Sequence, residues 1–99
     1  MVSTAAAVTI VSQLKETSSL EHAIVTLQCE LSKSNQKGTW LKNGKEIEPD
    51  DRHQITVNGT IQLLTIKDTN LAEDDAEYTL RIGDNSTTAH LHIEGELLI

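Results

Sequence analysis

Phenylalanine is absent from this chain, and tryptophan, tyrosine, cysteine and proline each occur once. With Trp40 and Tyr78 the only aromatics, the interior has to be built from Val, Ile, Leu and Ala. Such residues suit a thin layered core, because β-branched side chains pack well on a pleated surface. The single cysteine, Cys29, excludes an internal disulfide. Small sandwich domains of oxidising compartments usually carry one, so a lone thiol points to the cytoplasm. Positive charge is also scarce: eight basic residues are scattered among fifteen acidic ones, for a net charge of −7. That balance argues against nucleic acid as a partner, since a phosphate backbone requires clustered Lys and Arg. It likewise disfavours an anionic membrane surface. No apolar run approaches the ~20 residues of a membrane span. The segment from Met1 to Val8 has neither a basic n-region nor an apolar h-region, and reads as no signal peptide.

What remains is enough for one domain, since 99 residues can bury a single core but not two. Turn-forming clusters punctuate the chain at Ser18-Ser19, Ser32 to Gly38, Asn43-Gly44, Pro49 to Asp51, Asn58-Gly59 and Gly83 to Ser86. Between them lie alternating apolar segments, the signature of half-buried strands. The clearest runs from Ala23 to Leu31, with Val25, Leu27, Cys29 and Leu31 on one face. Strands are expected near residues 6–14, 23–31, 37–43, 54–58, 60–68, 76–83 and 86–94. Asn43-Gly44 and Asn58-Gly59 both suit the positive φ of tight hairpins. Asn70 to Asp75 is the one helix-leaning stretch, and is expected to form a single turn between two strands.

Several residues invite a functional reading and have a plainer one. The parity of Cys29 puts it in the core beside Leu27 and Leu31, where a cysteine acts as a small hydrophobe. His90 and His92 share a strand face at a spacing that suits a metal. No carboxylate or thiol stands near them in sequence to complete a ligand set, so they are expected as ordinary exposed histidines and no metal site is assigned. Glu46, Glu48, Asp50 and Asp51, and then Glu73, Asp74 and Asp75, form acidic runs without the glycine-punctuated loop of a calcium cage. Both are expected as solvated acidic ends. Asn58 and Asn85 begin formal glycosylation sequons, relevant only to a secreted chain. No nucleophile–histidine pair, carboxylate pocket or phosphate loop is present, so neither catalysis nor a cofactor is expected.

Cys29 precedes Trp40 by eleven residues, and Asp74, Ala76, Tyr78 and Leu80 follow with alternate spacing. In these residues the chain resembles the intermediate-set (I-set) immunoglobulin domains, whose pattern is a strand-B Cys, a strand-C Trp and Asp-x-Gly/Ala-x-Tyr-x-Cys at strand F. The wording from Val25 to Leu31, from Trp40 to Ile47 and from Leu64 to Ile66 is similar to domains of titin, obscurin and myosin-binding protein C. The resemblance implies an all-β, two-sheet antiparallel sandwich with Greek-key topology. It would span residues 8–94, between an N-terminal extension of residues 1–7 and a linker of residues 95–99. It further implies that Trp40 fills the space between the sheets and that the Tyr78 hydroxyl pins the corner before strand F. Asp74 is then expected to pair with Arg52. Leu80 occupies the place of the family's second cysteine. Since a disulfide contributes ~2–4 kcal/mol and a buried Leu ~1.5–3 kcal/mol, the apolar replacement roughly offsets the lost crosslink.

The resemblance also implies a function: a structural, mechanically loaded or protein-docking module of a large muscle or cytoskeletal protein. Its partners would be neighbouring domains and other muscle proteins, its location the cytoplasm, and the isolated domain a monomer. The alternative is an extracellular adhesion or receptor domain that has lost its disulfide, which the two sequons favour. The family pattern has the segment after Leu14 paired in parallel with the last strand. Pulling the ends apart would then shear that pair, and proline at Thr88 or Leu91 would weaken it.

Overall fold

The computed structural model describes residues 8–95, so residues 1–7 and 96–99, the expected extension and most of the expected linker, lie outside it. The first strands are β1 (Ile10–Ser12), β2 (Thr17–Leu20), β3 (Val25–Leu31) and β4 (Thr39–Lys42). The chain continues with β5 (Lys45–Glu46), β6 (His53–Asn58) and β7 (Ile61–Ile66). It ends with α1 (Leu71–Asp74), β8 (Ala76–Ile82) and β9 (Asn85–Glu94). They form two sheets, ordered β1-β3-β7-β6 and β2-β9-β8-β4-β5.

Alternation along each strand sends one set of side chains inward. β3 contributes Val25, Leu27, Cys29 and Leu31, and β7 contributes Leu64 and Ile66. From the other sheet come Trp40, Ala76, Tyr78, Leu80, Leu91 and Ile93. Gln62 shares the inward parity of β7, so its amide is buried and has to find partners. It accepts from the Gly38 amide at 3.3 Å and donates to the Gln36 carbonyl at 2.6 Å, which ties the loop before β4 to the opposite sheet.

Among the described residues the expected strand over 6–14 holds only β1, and a second strand, β2, follows outside those bounds; this division creates the parallel terminal pair. β1 pairs with β3, but its register slips between Ile10 and Ser12. Such a bulge bends a strand away from its sheet. The chain then crosses at Leu14, which is buried and donates its amide to Thr87 Oγ1 at 3.0 Å. It continues as β2, parallel to β9, with Thr17 opposite Leu91 and Leu20 opposite Glu94. Ser18-Ser19, a break by its sequence, therefore lies inside a strand.

The hairpin turns differ in one detail. Asn43 and Gly44, with φ of 48° and 85°, form the two-residue link between β4 and β5. In the β6–β7 hairpin Asn58 still faces Ile61, so the link is Gly59-Thr60, one residue later than expected. There Gly59 alone supplies the positive φ, at 61°.

Candidate functional site

The pole at which β8 begins is organised by a buried acid. Asn70 caps α1, its side chain accepting from the Ala72 amide at 2.8 Å, as N-cap residues do. This single turn carries Asp74 inward until its side chain is fully buried, while Glu73 stays exposed. A buried carboxylate needs strong partners. Arg52, just before β6, bonds Asp74 with one arm and Glu73 with the other, at 3.0 Å for the latter. Its Nε also donates to the Lys67 carbonyl at 3.2 Å, and Asp74 accepts from the Asn70 amide at 2.8 Å. Asp74 thus departs from the solvated acidic end expected for Glu73 to Asp75. Tyr78 is buried beneath it and donates its hydroxyl to the Asp74 carbonyl at 2.9 Å. Burial, with the Asp74 charge beside it, holds the phenol protonated well above its ordinary range. Trp40 and Leu80 face one another across β4 and β8 and are both fully buried. Cys29 lies in the same core, where burial pushes its thiol up to about 11, leaving it protonated and unreactive at neutral pH.

The second feature is the β2–β9 pair and what flanks it. Glu21 donates its amide to the Glu94 carbonyl at 3.1 Å, so Glu94 faces β2. The Ile93 amide points the other way, to Asp75 Oδ2 at 2.9 Å. Backbone groups alternate sides along a strand, so His90, His92 and Glu94 present theirs to β2, and Leu91 and Ile93 to β8. Leu91 therefore serves the β8–β9 ladder, and Thr88, opposite Thr79, lies beyond the reach of β2. Neither is a clamp position; Ser19, opposite Ile93, is. Thr69 locks the far end of β2, donating its hydroxyl to the Leu20 carbonyl at 2.7 Å and accepting from the Ala23 amide at 3.0 Å.

The exposed face of β9 corrects one expectation. A carboxylate does complete the histidine pair: Asp75 reaches His90 Nε2 at 2.9 Å, and the two imidazoles stack with centroids 4.3 Å apart. The His90 hydrogen bond, then that from the Ile93 amide, holds the Asp75 carboxyl below its usual range. Sequence spacing does not reveal Asp75, because fifteen residues separate it from His90 and only the β8–β9 register closes that gap. The sequons diverge. Asn58 is exposed, whereas Asn85 donates its side-chain amide to the Val8 carbonyl at 2.7 Å. The nitrogen a glycan would occupy is there already engaged. Among the described residues, no helix is long and apolar enough to cross a membrane.

Two sheets, a buried inter-sheet tryptophan and a tyrosine corner define an immunoglobulin-like sandwich. The family model of the immunoglobulin I-set domain matches residues 8–94, and the chain belongs to that family. Among curated proteins it is 50% identical over 52 residues to cardiac-type myosin-binding protein C of Gallus gallus, covering 52% of this chain and 4% of that protein. It is 33% identical over 89 residues to titin of Drosophila melanogaster, covering 90% of this chain and a share of that protein that rounds to 0%. The chain thus spans a small fraction of these relatives. Among solved structures, domain I10 of titin superposes with a TM-score of 0.83 at 34% identity, covering 88% of this chain and 98% of that one.

Proposed function

We propose that this domain is a mechanically loaded structural module, one unit in series within a large cytoplasmic muscle or cytoskeletal protein. Its partners are then neighbouring domains of the same chain and other proteins of that assembly, docking on its surface. The observation that carries the reading is the parallel β2–β9 pair. Val8 is held beside Asn85, where β9 begins, and the chain leaves at the other end of that ten-residue strand. At ~3.3 Å per residue, entry and exit are separated by about 30 Å along the strand axis. Tension on the two ends pulls β2 and β9 in opposite directions, and their hydrogen bonds must yield together. The likeness to titin and myosin-binding protein C domains supports the same reading.

The exposed Asn58 sequon favours a second reading, an extracellular adhesion domain. Mass analysis of native material separates the two. An unmodified Asn58 agrees with the cytoplasmic module, and a glycan there contradicts it. The mechanical reading itself is tested by pulling tandem copies of the chain. Each should unfold in one force peak, with the chain lengthening by on the order of 280 Å. Extension without peaks contradicts a loaded module.

A further inference from the structure

We propose that Asp75, His90 and His92 form a binding site for a divalent transition-metal ion of the zinc class. Residues two apart on a strand share a face. His90 and His92 therefore stand side by side on β9, part-exposed, with 35% and 46% of their side-chain surface open. Asp75 enters from the junction of α1 and β8. The Ile93 amide fixes one of its oxygens, which turns the other to His90. One donor atom from each of the three lies within 4.8 Å of the others. Tetrahedral zinc, with bonds of ~2.0–2.1 Å, brings its donors to about 3.4 Å. Rotation of part-exposed side chains closes that difference, the ion replacing the proton that bridges His90 and Asp75.

The donor set selects the metal. Imidazole with carboxylate suits zinc, copper and nickel, whereas calcium and magnesium take oxygen ligands. Three protein donors leave a position for water. Further negative charge lies close by. Glu77 sits across from His90 in the β8–β9 register, and a Glu16 carboxylate oxygen lies 2.9 Å from His92 Nε2. Carboxylates that bond a ligating histidine orient its ring. Glu16 immediately precedes β2, so the ion would join β9 to the start of β8 directly and to the start of β2 through Glu16. On the mechanical reading above, such a staple sits on the strands that carry the load.

The test is calorimetric titration of zinc chloride into the metal-free 99-residue chain, with melting followed in parallel. One ion should bind per chain, and EDTA should reverse it. At a hundredfold excess over Kd the melting temperature should rise by on the order of 10 °C. Calcium and magnesium at the same concentration should do nothing. His90→Ala and His92→Ala should each weaken binding at least about tenfold. Asp75→Asn also disturbs the Ile93 anchor, so the two histidine variants decide the test. No saturable heat, or wild-type affinity in both variants, overturns the proposal. Either result leaves the mechanical reading standing, since pulling in metal-free buffer tests that separately.

Discussion

Leu80 packs against Trp40 at the centre of the sandwich, on the sheet opposite Cys29, and is fully buried. With Cys29 the single cysteine no disulfide joins the sheets, so cohesion there depends on contact between apolar atoms. Leu80→Ala removes part of that contact and leaves a cavity, and should cost ~2–5 kcal/mol in a denaturant titration. A loss below about 0.5 kcal/mol would contradict a core role. Tyr78 allows a sharper test, since Tyr78→Phe keeps the ring and deletes only the hydroxyl. The Asp74 carbonyl then loses its donor inside the core, and ~1–3 kcal/mol of stability should go with it. Unchanged stability would mean that the corner bond contributes nothing. These inward positions are legible in the sequence because burial in a strand follows parity. Cys29, Tyr78 and Leu80 each sit in an alternating run. Partnership does not follow parity. Nothing local to Asp75, His90 and His92 marks them as neighbours, and Gln62 betrays its bridge to Gly38 by no pattern.

At the scale of elements, strands with apolar alternation can be read from the residues themselves, and β2 only from the family pattern that pairs the segment after Leu14 with the last strand. Thr17, Ser18 and Ser19 offer no hydrophobic pattern, and a serine pair is a common turn signal. What makes this segment a strand is its backbone pairing with β9, held by the Leu14 crossing at one end and Thr69 at the other. Tertiary context decides an element whose side chains are indifferent. The two-residue β5 falls below the same threshold. The loop before β6 shows how a polar turn is stabilised. Asp50 Oδ1 receives the Arg52 and His53 amides and meets the His53 ring, each at 2.8 Å. The His53 side-chain bond first, then the Arg52 amide, lowers the Asp50 carboxyl below its ordinary 3.8. A depressed folded value stabilises the fold above the unfolded value, and the contribution fades as pH falls through the folded one. Asp50→Asn should therefore lower the melting temperature at neutral pH, with the two proteins converging in acid once the carboxyl is protonated in both states. A gap that persists undiminished in acid would contradict the charge-based account.

For the molecule as a whole, the decisive property is direction. The chain enters beside the start of β9, runs alongside it as β2 and departs from its end. A parallel pair loaded from opposite ends resists in shear, whereas an antiparallel hairpin pulled from its open end would unzip bond by bond. Half-buried strands are readable from alternation and spacing, and the two-sheet sandwich from the family resemblance that Cys29, Trp40, Tyr78 and Leu80 carry. Which amides carry the load is not readable, because that depends on the side of the strand each one faces. Within β2 the two serines provide a matched comparison. The Ser19 amide faces β9, and the Ser18 amide faces the open edge of the sheet. Proline at either position imposes the same ring and the same φ, but only at Ser19 does it delete a donor to β9. The measurement is single-molecule pulling of tandem copies carrying Ser19→Pro or Ser18→Pro beside wild type, in metal-free buffer. A clearly lower unfolding force is expected for Ser19→Pro, and a force near wild type for Ser18→Pro. Equal forces in the two variants would contradict the β2–β9 clamp.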